Sequence, residues 1–537
     1  MHRRRVAISF IFCIALAACG GGGSGGGHQA PQITTAEAVR FLRQATFGPT
    51  DADVAHLKAI GYSAWIDEQI AAAPTYELTY MATLPAPPNS GVGEANRIDA
   101  WFQAAIHGDD QLRQRIAFAL SEIMVVSDRS ALFDTPNGLA YYYDQLTRLA
   151  FGNFRDLMET VTLTPAMGVY LSMLGNEKPD PVRNIRPDEN YARELMQLFT
   201  LGLVQLNLDG TPKVDGTGVP LPTYTQPIIE GFAHVYTGWT YGGSAGFHLP
   251  SYNFTTPMQA FSAFHDTGSK TLLNGFVVPA GQTPQKDLDD ALDNIFEHAN
   301  VAPFVSKQLI QRLVNVNPSP AYVQRIATVF NNDGKGVRGN LAAVVKAILL
   351  DSEARTTPAS DASGKLTEPL LRLTALWRAY GAAAASGRYL FANPEVFFGQ
   401  APLRAGSVFN FFRPQYAPPG EITTRGLVSP EMQITNETTT SSTNNYLAFI
   451  VFLRNSSTAN LAADDIAIDI SGELPFANDT SALVDRAANR LLGGDISNGL
   501  RSDAIGMANL WPAANADIRV AEVIHAIVTS PEFAVLK

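Results

Sequence analysis

Leu112-Arg113-Gln114-Arg115-Ile116-Ala117-Phe118-Ala119-Leu120-Ser121-Glu122-Ile123-Met124 sets the fold class. Leu112, Ile116, Leu120, Ile123 and Met124 recur every three or four residues, the spacing of one helix face, in a stripe that runs on toward Asp128. The same period appears on both sides. Val39, Phe41, Leu42 and Ala45 share a face, then Val54, Leu57 and Ile60, then Trp65, Ile66 and Ile70. Helices are predicted over 139–151, 154–163, 191–203, 288–298, 301–314, 321–330, 341–350, 366–380, 444–453, 483–492 and 518–527. No period of 20–50 residues recurs, so a solenoid is excluded. The pattern predicts an all-α or strongly α-dominated fold.

Two stretches interrupt it. Residues 209–222 are rich in Gly, Pro and Asp and read as a long loop or hairpin. Residues 241–283 are rich in Gly, Pro, Ser and aromatics, with a short strand expected near 275–279. Some five hundred residues exceed what one core usually supports, about 250–300, so two packed lobes are expected, 35–240 and 285–537.

The start of the chain reads as an address. Arg3, Arg4 and Arg5 precede a short apolar run, and Leu16-Ala17-Ala18-Cys19 supplies the small-residue context for lipoprotein cleavage. Residues 1–18 are therefore expected to be a signal peptide. Residues 19–34 are an acylated Cys19 and a Gly-rich tether, reaching on the order of 20 Å. Gly20, rather than Asp, follows the cysteine, which favours the outer over the inner membrane. The folded part is expected from Thr35, with Thr34 or Thr35 as a helix cap and Glu37 in the first turn.

Only Cys13 and Cys19 occur. The mature body then has no disulfide, thiol nucleophile or cysteine-ligated metal. The net charge is −11, three units more negative once Arg3, Arg4 and Arg5 leave with the leader. Such a surface repels nucleic-acid phosphates, so no nucleic-acid partner is expected.

The densest polar run is Arg186-Pro187-Asp188-Glu189-Asn190-Tyr191-Ala192-Arg193-Glu194-Leu195-Met196-Gln197-Leu198-Phe199. Asn190, Arg193, Glu194 and Gln197 share a helix face, which reads either as a binding stripe with Glu194 as a carboxylate base or as an ion-pair ladder between helices. Glu230 and His234, at i and i+4, with His265 and Asp266 are the metal candidates. His265, oriented by Asp266 and with Lys270 nearby, is the acid–base candidate. Asn410 and Arg413 sit in an aromatic-rich stretch. That stretch suits a carbohydrate or peptide chain, or packing against the helical core. Gly242-Gly243-Ser244-Ala245-Gly246 lacks the strand–turn–helix context of a nucleophile elbow. Asn331-Asn332-Asp333-Gly334 lacks the alternating ligands of a calcium loop.

Asp188 through Met196, followed by Leu198-Phe199-Thr200-Leu201-Gly202, resembles the signature of the bacterial domain of unknown function 1800 family. So do Phe41-Leu42-Arg43-Gln44-Ala45-Thr46-Phe47-Gly48, Thr237-Gly238-Trp239 and His265-Asp266-Thr267-Gly268-Ser269-Lys270-Thr271. Val408-Phe409-Asn410-Phe411-Phe412-Arg413-Pro414 and Ser429-Pro430-Glu431-Met432-Gln433-Ile434-Thr435-Asn436-Glu437 complete the set. The resemblance spans about 35–537 and implies a largely helical exported protein with no established reaction. It also implies a sulfatase-like exported protein, separately encoded, as partner. Many members carry Trp-His-Asn-His where this chain has Ala119-Leu120-Ser121-Glu122, and His where it has Thr164. If those histidines are ligands, this chain lacks them.

Two function classes lead a third, a purely structural envelope component, against which the amount of clustered polar and aromatic sequence argues. One is a lipid-anchored protein that binds or assembles with an exported partner on cell-envelope or extracellular polymer. The other is a hydrolase-type enzyme using His265 and Asp266 with Glu194, possible metal assistance included. The cofactor is unassigned.

Overall fold

The structure, a computed structural model, describes residues 32–356 and 361–537. Cys19, the leader and nearly all of the expected tether lie outside the described residues.

The first helix, Thr35–Ala45, begins where local chemistry dictates. The Thr34 hydroxyl accepts the Glu37 backbone N–H, and the Glu37 carboxylate accepts the Thr34 N–H, a reciprocal capping box. Thr50 and Asp53 repeat the device at Asp51–Ile60. Several later helices open on a hydroxyl residue followed by proline. Thr283 caps Pro284–Phe296 and Ser319 caps Pro320–Asn331, where proline's fixed φ suits the first turn. Helices dominate the described residues, joined by three two-stranded antiparallel sheets. The fold class is α-dominated.

Aromatic packing ties the front of the chain to its later part. Trp101 touches Phe47 edge-on at 5.2 Å and Phe118 at 5.5 Å, while Phe102 reaches Trp377 at 5.1 Å. Each such fully buried ring contributes about 2–3 kcal/mol of apolar burial. Gly48 has φ +124°, and a Cβ there would come within 2.3 Å of Ala375 Cα, so only glycine lets the two segments meet. Residues of both expected lobes, from Ala38 to Phe533, belong to one connected core. The division at 240/285 has no boundary in the packing, because Thr35–Ala45 packs on Thr480–Leu492 and Ser90–His107 packs on Pro369–Ala379.

Two elements differ from the sequence expectation. Leu366 belongs to a strand, Lys365–Leu366, paired with Val535–Leu536, and the helix starts only at Pro369. The helix expected over 191–203 is α-helical only at Asn190–Glu194, then widens to a π-turn over Leu195–Thr200. The short strand expected near 275–279 is Val277–Val278, paired with Lys270–Thr271. In the 203–222 excursion, Gln205 donates to Leu221, Leu221 to Lys213 and Lys213 to Gln205. The three segments thus close a ring of backbone bonds. No helix among the described residues is long and apolar enough to cross a membrane.

Candidate functional site

The sequence-selected polar residues fall into three places. His265 is fully buried: its Nδ1 faces the Thr237 carbonyl at 2.9 Å and its Nε2 faces Asp287 Oδ2 at 3.0 Å. Lys270 Nζ spends its three protons on the Asp266 carbonyl at 2.6 Å, the Gly268 carbonyl at 2.8 Å and Asp287 Oδ2 at 2.6 Å. Gln282 donates to the other Asp287 oxygen at 2.9 Å. Burial alone would raise the Asp287 carboxyl, but the His265, Lys270 and Gln282 hydrogen bonds outweigh it and hold it below its usual range. The partner that orients His265 is therefore Asp287, not Asp266.

Asp266 pairs instead with His234, whose hydrogen bond is the main reason its carboxyl falls to about 2; burial opposes, and the Gly268 N–H assists. Glu230 stays exposed and meets Gln226 at 3.4 Å. With His265 turned inward, Glu230, His234, His265 and Asp266 do not form one ligand set. Among the described residues no group of three or more His, Cys, Asp or Glu is arranged to hold a metal.

Arg193 donates to Glu189 at 3.0 Å and to Gln226 at 3.3 Å, while Gln226 donates to Glu189 at 2.9 Å, a ladder between two helices. Asn190 is exposed beside it. Glu194 faces inward between Tyr170 and Tyr224. Its Oε2 is buried without a hydrogen bond, and burial raises its pKa against the pull of Arg193.

The third place is where the sequence signalled least. Glu122 caps the Gln111–Ser121 helix, with Arg115 two turns back, and both side chains are buried. Arg312, in the last turn of Val301–Leu313, donates to the Glu122 carbonyl at 3.2 Å; its Nε lies 3.7 Å from the Glu122 carboxyl. Glu368 precedes the Pro369–Ala379 helix and is wholly buried. Gln400 Nε2 bridges the two acids, 3.2 Å from Glu122 Oε1 and 2.7 Å from Glu368 Oε2. Lys365 Nζ joins Glu368 at 3.3 Å to Glu431. From the 408–416 loop, Asn410 donates to Glu122 at 3.4 Å, and Asn410 holds φ +64° to do so.

Three carboxyls thus meet three cations, yet their bonding is incomplete. Glu122 Oε2, Gln400 Oε1, Glu431 Oε2, Arg312 Nε and two Arg115 nitrogens are buried without a hydrogen-bond partner. Such orphans are costly and need a reason. Burial pushes the Glu122 carboxyl up to about 8; the Glu368 charge adds to this, and Arg312, Lys365 and Arg115 oppose it. Burial would raise Glu368 too. Lys365 and Arg115 beside it, with the Gln400 hydrogen bond and Arg312, hold it below the usual range instead. One acid of the pair is thus pushed up and its neighbour held down, the kind of split that acid–base chemistry uses.

A family model described as "Protein of unknown function (DUF1800)" matches residues 40–535. The chain belongs to the DUF1800 family. Neither the curated proteins nor the solved structures gave a match. Within this DUF1800 chain, the Thr237 and His265 motifs converge on the fully bonded cluster. The Asn410 and Glu431 motifs converge on the incomplete one. Arg413 joins neither through its side chain: its guanidinium lies 4.8 Å from the Phe409 ring, exposed.

Glu368, Gln400, Lys365, Arg115 and Arg312 escaped the sequence reading. The available signal was a charged residue inside an otherwise apolar helical stripe, as Arg115 is between Leu112 and Ile116.

Proposed function

We propose that this DUF1800 protein is an exported lipoprotein, anchored by acylated Cys19 in the outer membrane. Its helical body holds a cell-envelope or extracellular polymer, together with a separately encoded, sulfatase-like exported partner. The observation that carries the binding reading is the 408–416 loop. Phe409 is 38% exposed with the Arg413 guanidinium over its ring, a flat cationic platform at the surface. The loop is fixed from beneath. Asn410 is tied to Glu122, Phe412 lies 4.8 Å under the Arg312 guanidinium, and Gln311 donates to the Pro414 carbonyl at 3.3 Å. A platform held this way loses little side-chain freedom on binding.

The test is co-sedimentation of the full lipoprotein with insoluble cell-wall polysaccharide. Phe409→Ala with Arg413→Ala should cut retention about tenfold while leaving thermal unfolding in place; unchanged retention overturns the reading. Cys19→Ser should release the protein from the membrane fraction, and persistence there removes the anchor.

A hydrolase-type reading is favoured by one observation, Glu122 and Glu368 bridged by Gln400 in a cluster whose hydrogen bonding is incomplete. It assigns the acid to Glu122 and the base to Glu368, in place of His265, Asp266 and Glu194. Release of reducing ends from the same polysaccharide, abolished by Glu122→Gln, supports it; no release by the unaltered protein ends it.

A further inference from the structure

An open cleft of about 470 Å³ lies between the Asp51–Ile60 and Thr480–Leu492 helices. Its volume falls in the range of small-ligand sites, about 300–1,000 Å³. Val54, Phe476 and Ala482 form an apolar wall, while Arg486, Asn489 and Arg490 present from one helix face at i, i+3 and i+4.

Each carboxylate around the cleft is paired with an arginine, although Glu473 Oε2 is buried without a hydrogen-bond partner. Glu473, wholly buried beneath the two arginines, accepts from Arg486 Nε at 3.2 Å and Arg490 Nη1 at 2.9 Å. Asp51 takes Arg490 Nη2 at 2.7 Å, and Asp485 takes Arg501 in a two-point contact at 2.9 and 2.8 Å. On the open side, donors are left over as well. The terminal nitrogens of Arg486 and the Asn489 amide make no hydrogen bond among the described residues, and Glu473 already fixes the plane of the Arg486 guanidinium. A planar guanidinium with free terminal N–H groups matches the two oxygens of a carboxylate. The apolar wall beside it matches the face of a ring.

We propose that this cleft binds a carboxylate-bearing sugar unit of an acidic polysaccharide. The ring lies on Val54, Phe476 and Ala482, and the carboxylate lies on Arg486 and Asn489. Thr35 lines the cleft and Thr34 caps the first helix, so the cleft opens at the root of the expected tether, close to the membrane. The choice of a polysaccharide rests on the exported-lipoprotein reading; the carboxylate preference rests on the cleft alone.

The probe is D-glucuronate, titrated into the full lipoprotein in detergent and followed by calorimetry, with D-glucose and acetate as references. Glucuronate should bind at least tenfold more tightly than either. Arg486→Gln should weaken it at least tenfold, and Asn489→Asp, which puts a like charge beside the carboxylate, should weaken it as well. Melting temperatures of both variants guard against misfolding, since Asn489 is exposed and its replacement leaves the core untouched. Absence of saturable glucuronate binding, equal binding of glucose, or full binding by Asn489→Asp overturns the site. Polymer retention through the 408–416 loop is a separate readout, so its loss alone sinks that reading and not this one.

Discussion

The two buried charge clusters use the same residue types and reach opposite states. Around Asp287, one carboxylate is met by His265, Lys270 and Gln282, and Lys270 has an acceptor for every proton. Around Glu122, three acids and three cations gather, yet acceptor and donor atoms on both sides are left over. Complete bonding is what a structural network needs, because a half-satisfied buried network is worse than an apolar one. Incomplete bonding persists where the fold is shaped for something beyond stability. His265, which stands out in the sequence, thus belongs to the structural cluster, whereas Asp266 touches it only through its backbone carbonyl. The less conspicuous glutamates belong to the other.

The sharpest way to break this contrast is Asp287→Ala. Removing the hub of a fully paired network leaves Lys270 buried without its counter-charge, and denaturant unfolding should show a loss of about 3–5 kcal/mol. A loss below about 1 kcal/mol would erase the distinction. Glu122→Gln should behave differently, since it replaces a neutral acid by a neutral amide of the same shape. Below about pH 4.5, where the folded and unfolded states both hold the proton, the change should stay within about 1 kcal/mol, and at pH 7 the variant should be the more stable.

The pH dependence sharpens the point. Because the folded Glu122 carboxyl titrates near 8 and the unfolded one near the usual 4.5, the folded state holds the extra proton between those values. Stability from this group is complete below the unfolded pKa and drains away as pH rises through 8, by about 1.4 kcal/mol per pH unit at most. Asp144 and Asp128, raised chiefly by burial to about 7 and about 6, act in the same direction at lower pH. The contribution of Glu122 is therefore read between pH 7 and 8. Glu122→Gln should flatten the melting curve there; an unaltered slope would show that the carboxyl is not protonated.

Much of the fold was legible in the sequence because its helices are amphipathic. Phe154–Leu163 and Leu341–Leu350 begin and end where the apolar period does. The long Ser90–His107 helix was not legible. It buries Glu94, Asn96, Arg97 and Asp99 together with Trp101 and Phe102, so polar residues interrupt the stripe that periodicity relies on. Leu366 falls inside the helix expected over 366–380 because the strand it pairs with, Val535–Leu536, lies far along the chain, beyond any local signal. The site followed the same logic. Asn410 and Arg413 stand together in one short stretch and could be named, whereas Glu122, Glu368, Gln400 and Glu431 meet only in three dimensions.

That terminal strand pairing has a temporal consequence. Lys365, which joins Glu368 to Glu431, is held in place by Leu536, far along the chain from it. The electrostatic centre of the molecule therefore cannot assemble until the segment around Leu536 has been translated. A nascent chain stays uncommitted until then, and loss of the Val535–Leu536 strand is felt at its heart rather than at its edge.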